Sequence, residues 1–92
     1  MTPITTIKKK DRLYYARIIP KTGIYEVCEI TLRTIEDTWF VGIDKRDNHA
    51  YMFNYSDLNT ILFSERKDAL DKVKAAEKNK VKISEEIDYE EY

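Results

Sequence analysis

The stretch from Trp39 to Val73, WFVGIDKRDNHAYMFNYSDLNTILFSERKDALDKV, constrains the fold more than any other part of the chain. It reads as a hairpin, a polar turn, a short strand and a helix. Thr38 to Ile43 places Trp39, Phe40 and Val41 in one strand, and His49 to Phe53 forms a second aromatic one. The residues between them, DKRDN at 44–48, are all polar and suit a hairpin with a longer loop. NYSDLN at 54–59 interrupts the apolar pattern. Ser56 and Asp57 can hydrogen-bond their own backbone and start one 3₁₀ or helical turn. Asn59 tolerates a left-handed exit. Ile61 to Phe63 has room for one brief strand. Ser64 then suits a helix N-cap, with Glu65 near the positive end of the helix dipole. Ala69, Leu70, Val73 and Ala76 give the helix an apolar stripe, and it reaches Lys78 or its neighbours.

The first half of the chain supplies two more strands. RLYYARII, from Arg12 to Ile19, stops at Pro20, which cannot donate a ladder hydrogen bond. In the PKTG turn, Pro20 has its φ preset and Gly23 can adopt positive φ. From Ile24 to Arg33 the alternation is clean. Cys28, Ile30 and Leu32 point one way, and Glu29, Thr31 and Arg33 the other. Glu36 and Asp37 mark the next turn. Four strands, one helical turn, a short fifth strand and a helix predict a mainly β fold with a C-terminal helix. The expected form is a small SH3-like five-stranded barrel plus one α-helix over residues 11–79, with an OB-like arrangement as the alternative. Residues 1–10, MTPITTIKKK, read as a flexible N-terminal arm. Residues 80–92 read as an acidic tail or, from the alternation of Val81, Ile83, Ile87 and Tyr89, as an edge strand.

Ninety-two residues make one small domain, too small for a deep cofactor cleft beside its core. With 16 basic and 17 acidic residues the net charge is -1, which argues against a dominant nucleic-acid or membrane-surface role. The charge is uneven, because the last eight residues hold five acids. Cys28 is the only cysteine, so no internal disulfide forms and a cytoplasmic location is expected. The basic cluster of residues 8–10 follows the first apolar residues, the reverse of a secretory signal. No apolar run approaches the roughly 18 residues of a membrane span.

No constellation of reactive groups stands out. One Cys and one His cannot make a zinc site, and no acidic loop has calcium-binding spacing. Cys28 lies among apolar positions and His49 beside a polar loop, so neither reads as a nucleophile or base. Asp68 and Asp71 share a helix, and Glu85 and Glu86 are adjacent, but nothing predicts a cleft between either pair. The chain is expected to be neither an enzyme nor a metal or cofactor carrier. Its rings suggest binding. Tyr14, Tyr25, Trp39, Tyr51 and Tyr55 offer contact area with few rotatable bonds. With Glu85, Glu86, Asp88, Tyr89, Glu90 and Glu91 of the tail they form the expected protein-binding set. The alternative is a small barrel for single-stranded nucleic acid, with Lys8, Lys9, Lys10, Arg12 and Arg17 beside the rings. Edge strands would also allow a homodimer.

GIDKRDNHAYMFNYSDLNTILFSERKDAL, residues 42–70, resembles small uncharacterised proteins of Gram-positive bacteria and their phages. The shared features are the GxDK hairpin, an aromatic strand, a short Asp-Leu turn, a brief apolar strand and a helix opening with acids and alanine. In those proteins a glycine often sits near the Asp-Leu turn and two acids open the helix. Here Asn59 follows Leu58, and Arg66 follows Glu65. The resemblance implies a phage- or mobile-element-type accessory protein acting as an interaction module. With the acidic tail, it implies an inhibitor of a host or defence protein that mimics charge.

Overall fold

Pro20 and Gly23 shape the first hairpin as their chemistry dictates. Pro20 opens a single 3₁₀ turn over Pro20–Thr22. Gly23 follows at φ 70°, its N–H donating to the Pro20 carbonyl at 3.2 Å. This turn joins β1 (Arg12–Ile19) to β2 (Ile24–Ile35), paired in register from Arg12↔Thr31 to Ile19↔Ile24. The computed structural model describes residues 3–90, and side chains as far as residue 79. Three further strands follow: β3 (Trp39–Asp44), β4 (Ala50–Asn54) and β5 (Leu62–Phe63). They make one sheet in the order β4-β3-β2-β1-β5, and its ladders are antiparallel. One helix, α1 (Arg66–Glu90), completes the chain.

The sheet is not closed into a barrel, which corrects the expected SH3-like barrel and the small-barrel frame of the nucleic-acid alternative. β4 and β5 are its two edges, and no ladder joins them. The reason is the length of β5. Two residues give β1 only the pairs Tyr14↔Phe63 and Tyr15↔Leu62, too little to carry a ladder round to β4. The sheet is covered by other means. On one face Leu13, Cys28, Ile30, Leu32, Phe40, Phe53 and Leu62 form a buried cluster, with Ile4, Ile7, Leu58 and Ile61 packed against it. On the other, Ala16 and Phe63 meet Ala69 and Val73 of α1, flanked by Tyr14, Ile18, Tyr25 and Val27. Burying a side chain such as Ile30 or Phe40 contributes roughly 1.5–3 kcal/mol.

The polar turn after β4 works as a clamp. Asn54 and Asp57 cap each other across the 3₁₀ turn Tyr55–Asp57, and Asn59 takes φ 65°. The Asn59 side chain then holds the N-terminal segment. Its Oδ1 accepts from the Ile4 N–H at 2.7 Å, and its Nδ2 donates to the Ile4 carbonyl at 2.9 Å. The segment read as a loose arm is thus tied at Ile4 and contributes Ile4 and Ile7 to the core edge. α1 begins one turn after β5, and the Ala69 N–H closes back on the Glu65 carbonyl. It packs chiefly on β1, β2 and β5. On that face the β3–β4 half of the sheet lies beyond the helix.

Candidate binding surfaces

The alternation of β3 sorts its side chains between two environments. Phe40, Gly42 and Asp44 are buried, and Trp39, Val41 and Ile43 are half-buried on the opposite face. Gly42 lies so close to Ile30 that an added Cβ would stand 2.6 Å from its Cδ1. Asp44, fully buried at the end of the strand, needs partners for its charge. Arg46 supplies them from the hairpin loop. Its backbone N–H donates to Asp44 Oδ1 at 2.9 Å, and its guanidinium to Oδ2 at 3.2 Å. The same guanidinium reaches both oxygens of Glu26, at 3.2 and 3.3 Å, and Cys28 Sγ at 3.2 Å. Arg17 adds a second cation to Glu26 at 3.0 Å and lies 5.8 Å from the Tyr51 ring centre.

These contacts set the protonation states. Hydrogen bonds from Arg46 and then Arg17 hold the Glu26 carboxyl below its ordinary pKa. Burial alone would raise the Asp44 carboxyl, but the side-chain and backbone hydrogen bonds from Arg46 outweigh it, so its pKa is lowered. Burial, reinforced by the Glu26 charge, pushes the Cys28 thiol up to about 12. Cys28 is therefore a neutral thiol at physiological pH, with no thiolate to act as nucleophile. Both carboxylates of this cluster are paired with arginine, which ties the hairpin loop to the end of the β2–β3 ladder.

The opposite face is arranged differently. Thr31 and Arg33 of β2, Ile43 of β3 and the segment at Lys9 and Lys10 enclose a shallow open groove of about 330 Å³. Lys10 is held there by its N–H, which donates to the Leu32 carbonyl at 2.8 Å. Arg12, exposed and opposite Thr31 in the β1–β2 ladder, flanks the same region. Among the described residues, no carboxylate pairs with Lys9, Lys10, Arg12 or Arg33. Beyond the groove the face continues through Val41 and Trp39, and across to Met52, which is 70% exposed.

The nominated rings do not gather into one site. Tyr14 and Tyr25 pack beneath α1, Tyr14 with its phenol 3.5 Å from Glu29. Tyr51 lies on the other face among Tyr15, Phe53 and His49, at centroid distances of 5.4, 6.2 and 4.6 Å. Tyr55 meets the Phe40 ring edge-on, and its hydroxyl donates to the Glu36 carbonyl. Trp39 alone of the five stands on the uncovered β3–β4 face. Of the nominated cations, Lys9, Lys10 and Arg12 come together, whereas Arg17 is taken by Glu26 on the far face. Lys8 is exposed next to them, its backbone N–H bonded to Asp11 at 3.0 Å. The side chains of Glu85, Glu86, Asp88, Tyr89, Glu90 and Glu91 lie outside the described residues.

Arg33, Met52, Glu26, Asp44 and Arg46 were not among the expected binding residues. A signal existed for Asp44, since it continues the inward register of Phe40 and Gly42. Among the described residues, no group of three His, Cys, Asp or Glu is placed to hold a metal ion. No helix among them is long and apolar enough to cross a membrane. No family model, curated protein or solved structure matches the chain.

Proposed function

We propose that the protein is an interaction module that receives an acidic, partly apolar segment of a partner protein on the β3–β4 face and the adjoining end of β2. The observation that carries this reading is the group of cations, Lys9, Lys10, Arg12 and Arg33, that have no carboxylate partner among the described residues and lie beside Ile43, Val41, Met52 and Trp39. Unpaired cations beside an apolar surface attract a segment of complementary charge and bury its side chains. The ring distribution favours a protein over single-stranded nucleic acid. Base stacking needs several rings adjacent to the cations, and among the described residues Trp39 is the only nominated ring on this face. The resemblance of residues 42–70 adds the accessory-protein context, and the tail acids motivate inhibition by charge mimicry as the biological role.

The test is capture of partners from host lysate by the full chain, with and without nuclease, repeated with the Lys10→Glu/Arg33→Glu double variant. A stoichiometric protein that survives nuclease, weakens with salt and is lost with the charge reversal supports the reading. Loss of all capture after nuclease, or binding indifferent to the reversal, overturns it. Trp39 is the only tryptophan, so its fluorescence reports occupancy of the face once a partner is purified.

A further inference from the structure

β4 forms one edge of the sheet, and nothing in its sequence guards that edge. Ala50–Asn54, AYMFN, has no charge and no proline, and its ladder to β3 runs without a bulge. Its central side chain, Met52, is 70% exposed. Native proteins blunt such edges with lysine, proline or bulges, because free N–H and C=O groups template pairing with another strand.

The hydrogen-bond alternation identifies the free groups. The Asp44 N–H donates to the His49 carbonyl at 2.8 Å, so 44 and 49 are a bonded pair. In an antiparallel ladder bonded pairs alternate, so Gly42–Tyr51 and Phe40–Phe53 are bonded too. The backbone groups of Tyr51 and Phe53 therefore face β3, and those of Ala50, Met52 and Asn54 face outward. The Asn54 N–H is already taken by Asp57 Oδ2 at 2.9 Å. Among the described residues, the open N–H donors on the edge are those of Ala50 and Met52.

We infer that this edge pairs with β4 of a second copy, antiparallel about a two-fold axis at Met52. Met52 exchanges N–H and C=O bonds with its mate, and each Ala50 N–H donates to the other copy's Asn54 carbonyl. Both open donors of each copy are then satisfied, and the ladder ends where Asp57 already caps Asn54. The strand is uncharged, so two identical copies meet without like-charge opposition. The apolar row Val41–Met52 of one copy continues into that of the other. The opposite edge offers no such site, because β5 has two residues and α1 packs beside it. An isologous contact of this kind closes as a dimer and does not propagate. It is one strand wide, at the low end of interface size, so the dimer depends on concentration. The inference does not rest on the partner-binding reading: the two share Met52, but the pairing uses only β4 backbone groups, and the Lys10→Glu/Arg33→Glu variant changes the groove without touching that edge.

The test is the mass of the full chain by light scattering over a concentration series, with residue-resolved amide exchange. The mean mass is expected to rise from 11.0 kDa toward twice that value. Exchange at Ala50 and Met52 slows over the same range. Two variants keep the protein near 11.0 kDa with an unchanged circular dichroism spectrum. Met52→Lys sets two like charges at the axis, and Met52→Pro removes an N–H that β3 does not use. A monomer at every concentration up to about 1 mM overturns the inference. A dimer retained by both variants, or one without protection at Ala50 and Met52, overturns it equally.

Discussion

Along β3, Phe40, Gly42 and Asp44 face a region in which volume and charge are fully matched, while Trp39, Val41 and Ile43 face one in which neither is. Behind the inward set, Gly42 leaves only the room that Ile30 fills, and the Asp44 carboxylate meets the Arg46 guanidinium. Outside, the helix stops short, Met52 is exposed, and four cations have no carboxylate partner among the described residues. A strand of six residues thus separates a packed core from a half-buried outer face by side-chain parity alone. The presence of charge does not distinguish the two regions. Arg46 and Arg33 are both arginines on the sheet's surface layer, and among the described residues only the first has its charge answered.

The comparison breaks first if the inward set tolerates truncation. Phe40 is completely buried between the Phe53 and Tyr55 rings, at 5.7 and 5.5 Å. Phe40→Ala is expected to cost about 3–5 kcal/mol, measured by urea denaturation. Gly42→Ala follows. Its new Cβ meets three atoms of Ile30, which is itself fully buried and has no space to retreat. Overpacking of this kind costs about 1–3 kcal/mol. A neutral Gly42→Ala would mean that the inward side is looser than its burial implies.

Part of this division was legible in the sequence. The inward register of Cys28, Ile30 and Leu32, the positive φ of Gly23 and Asn59, and the 3₁₀ turn at Tyr55–Asp57 all follow from local chemistry. Closure of the sheet was not legible, because it depends on whether two distant edges meet, and local patterns carry no information on that. The roles of the rings were hidden for a related reason. Alternation places Tyr14 and Tyr25 on one face of their strands, but it does not say that α1 will cover that face and leave Trp39 outside it. Asp44 was legible in part, through the spacing of Phe40, Gly42 and Asp44. Its answer by Arg46 depends on how the hairpin loop folds back.

Acid sharpens the inward side next. Glu26 and Asp44 have folded pKa values below their ordinary 4.5 and 3.8. The folded state therefore binds fewer protons than the unfolded state near those values. The stabilisation is complete above the ordinary values and is lost as pH falls through the lowered ones. The melting temperature is expected to decline below about pH 4.5. Asp44→Asn should cost about 1 kcal/mol at neutral pH and flatten the acid limb, because one of the two shifted carboxyls no longer titrates. An acid limb as steep as that of the parent protein would remove Asp44 from the account.

The smallest stability effect is expected outside, and it decides what that face is for. Arg33→Glu and Lys10→Glu break no ion pair among the described residues, and both side chains are exposed. Each should leave unfolding free energy within about 0.5 kcal/mol of the parent value. Reversal also replaces a repulsion among Lys9, Lys10, Arg12 and Arg33 with an attraction, so a slight gain is the expected sign at low salt. Added salt should erase that gain, since exposed charges are screened within about 10 Å at 0.1 M. A loss of more than about 1 kcal/mol would instead give Arg33 or Lys10 an architectural part comparable to that of Arg46, and the distinction between answered and unanswered charge would fail. An unchanged stability joined to weakened partner binding would locate function on the side of β3 that the fold itself does not require.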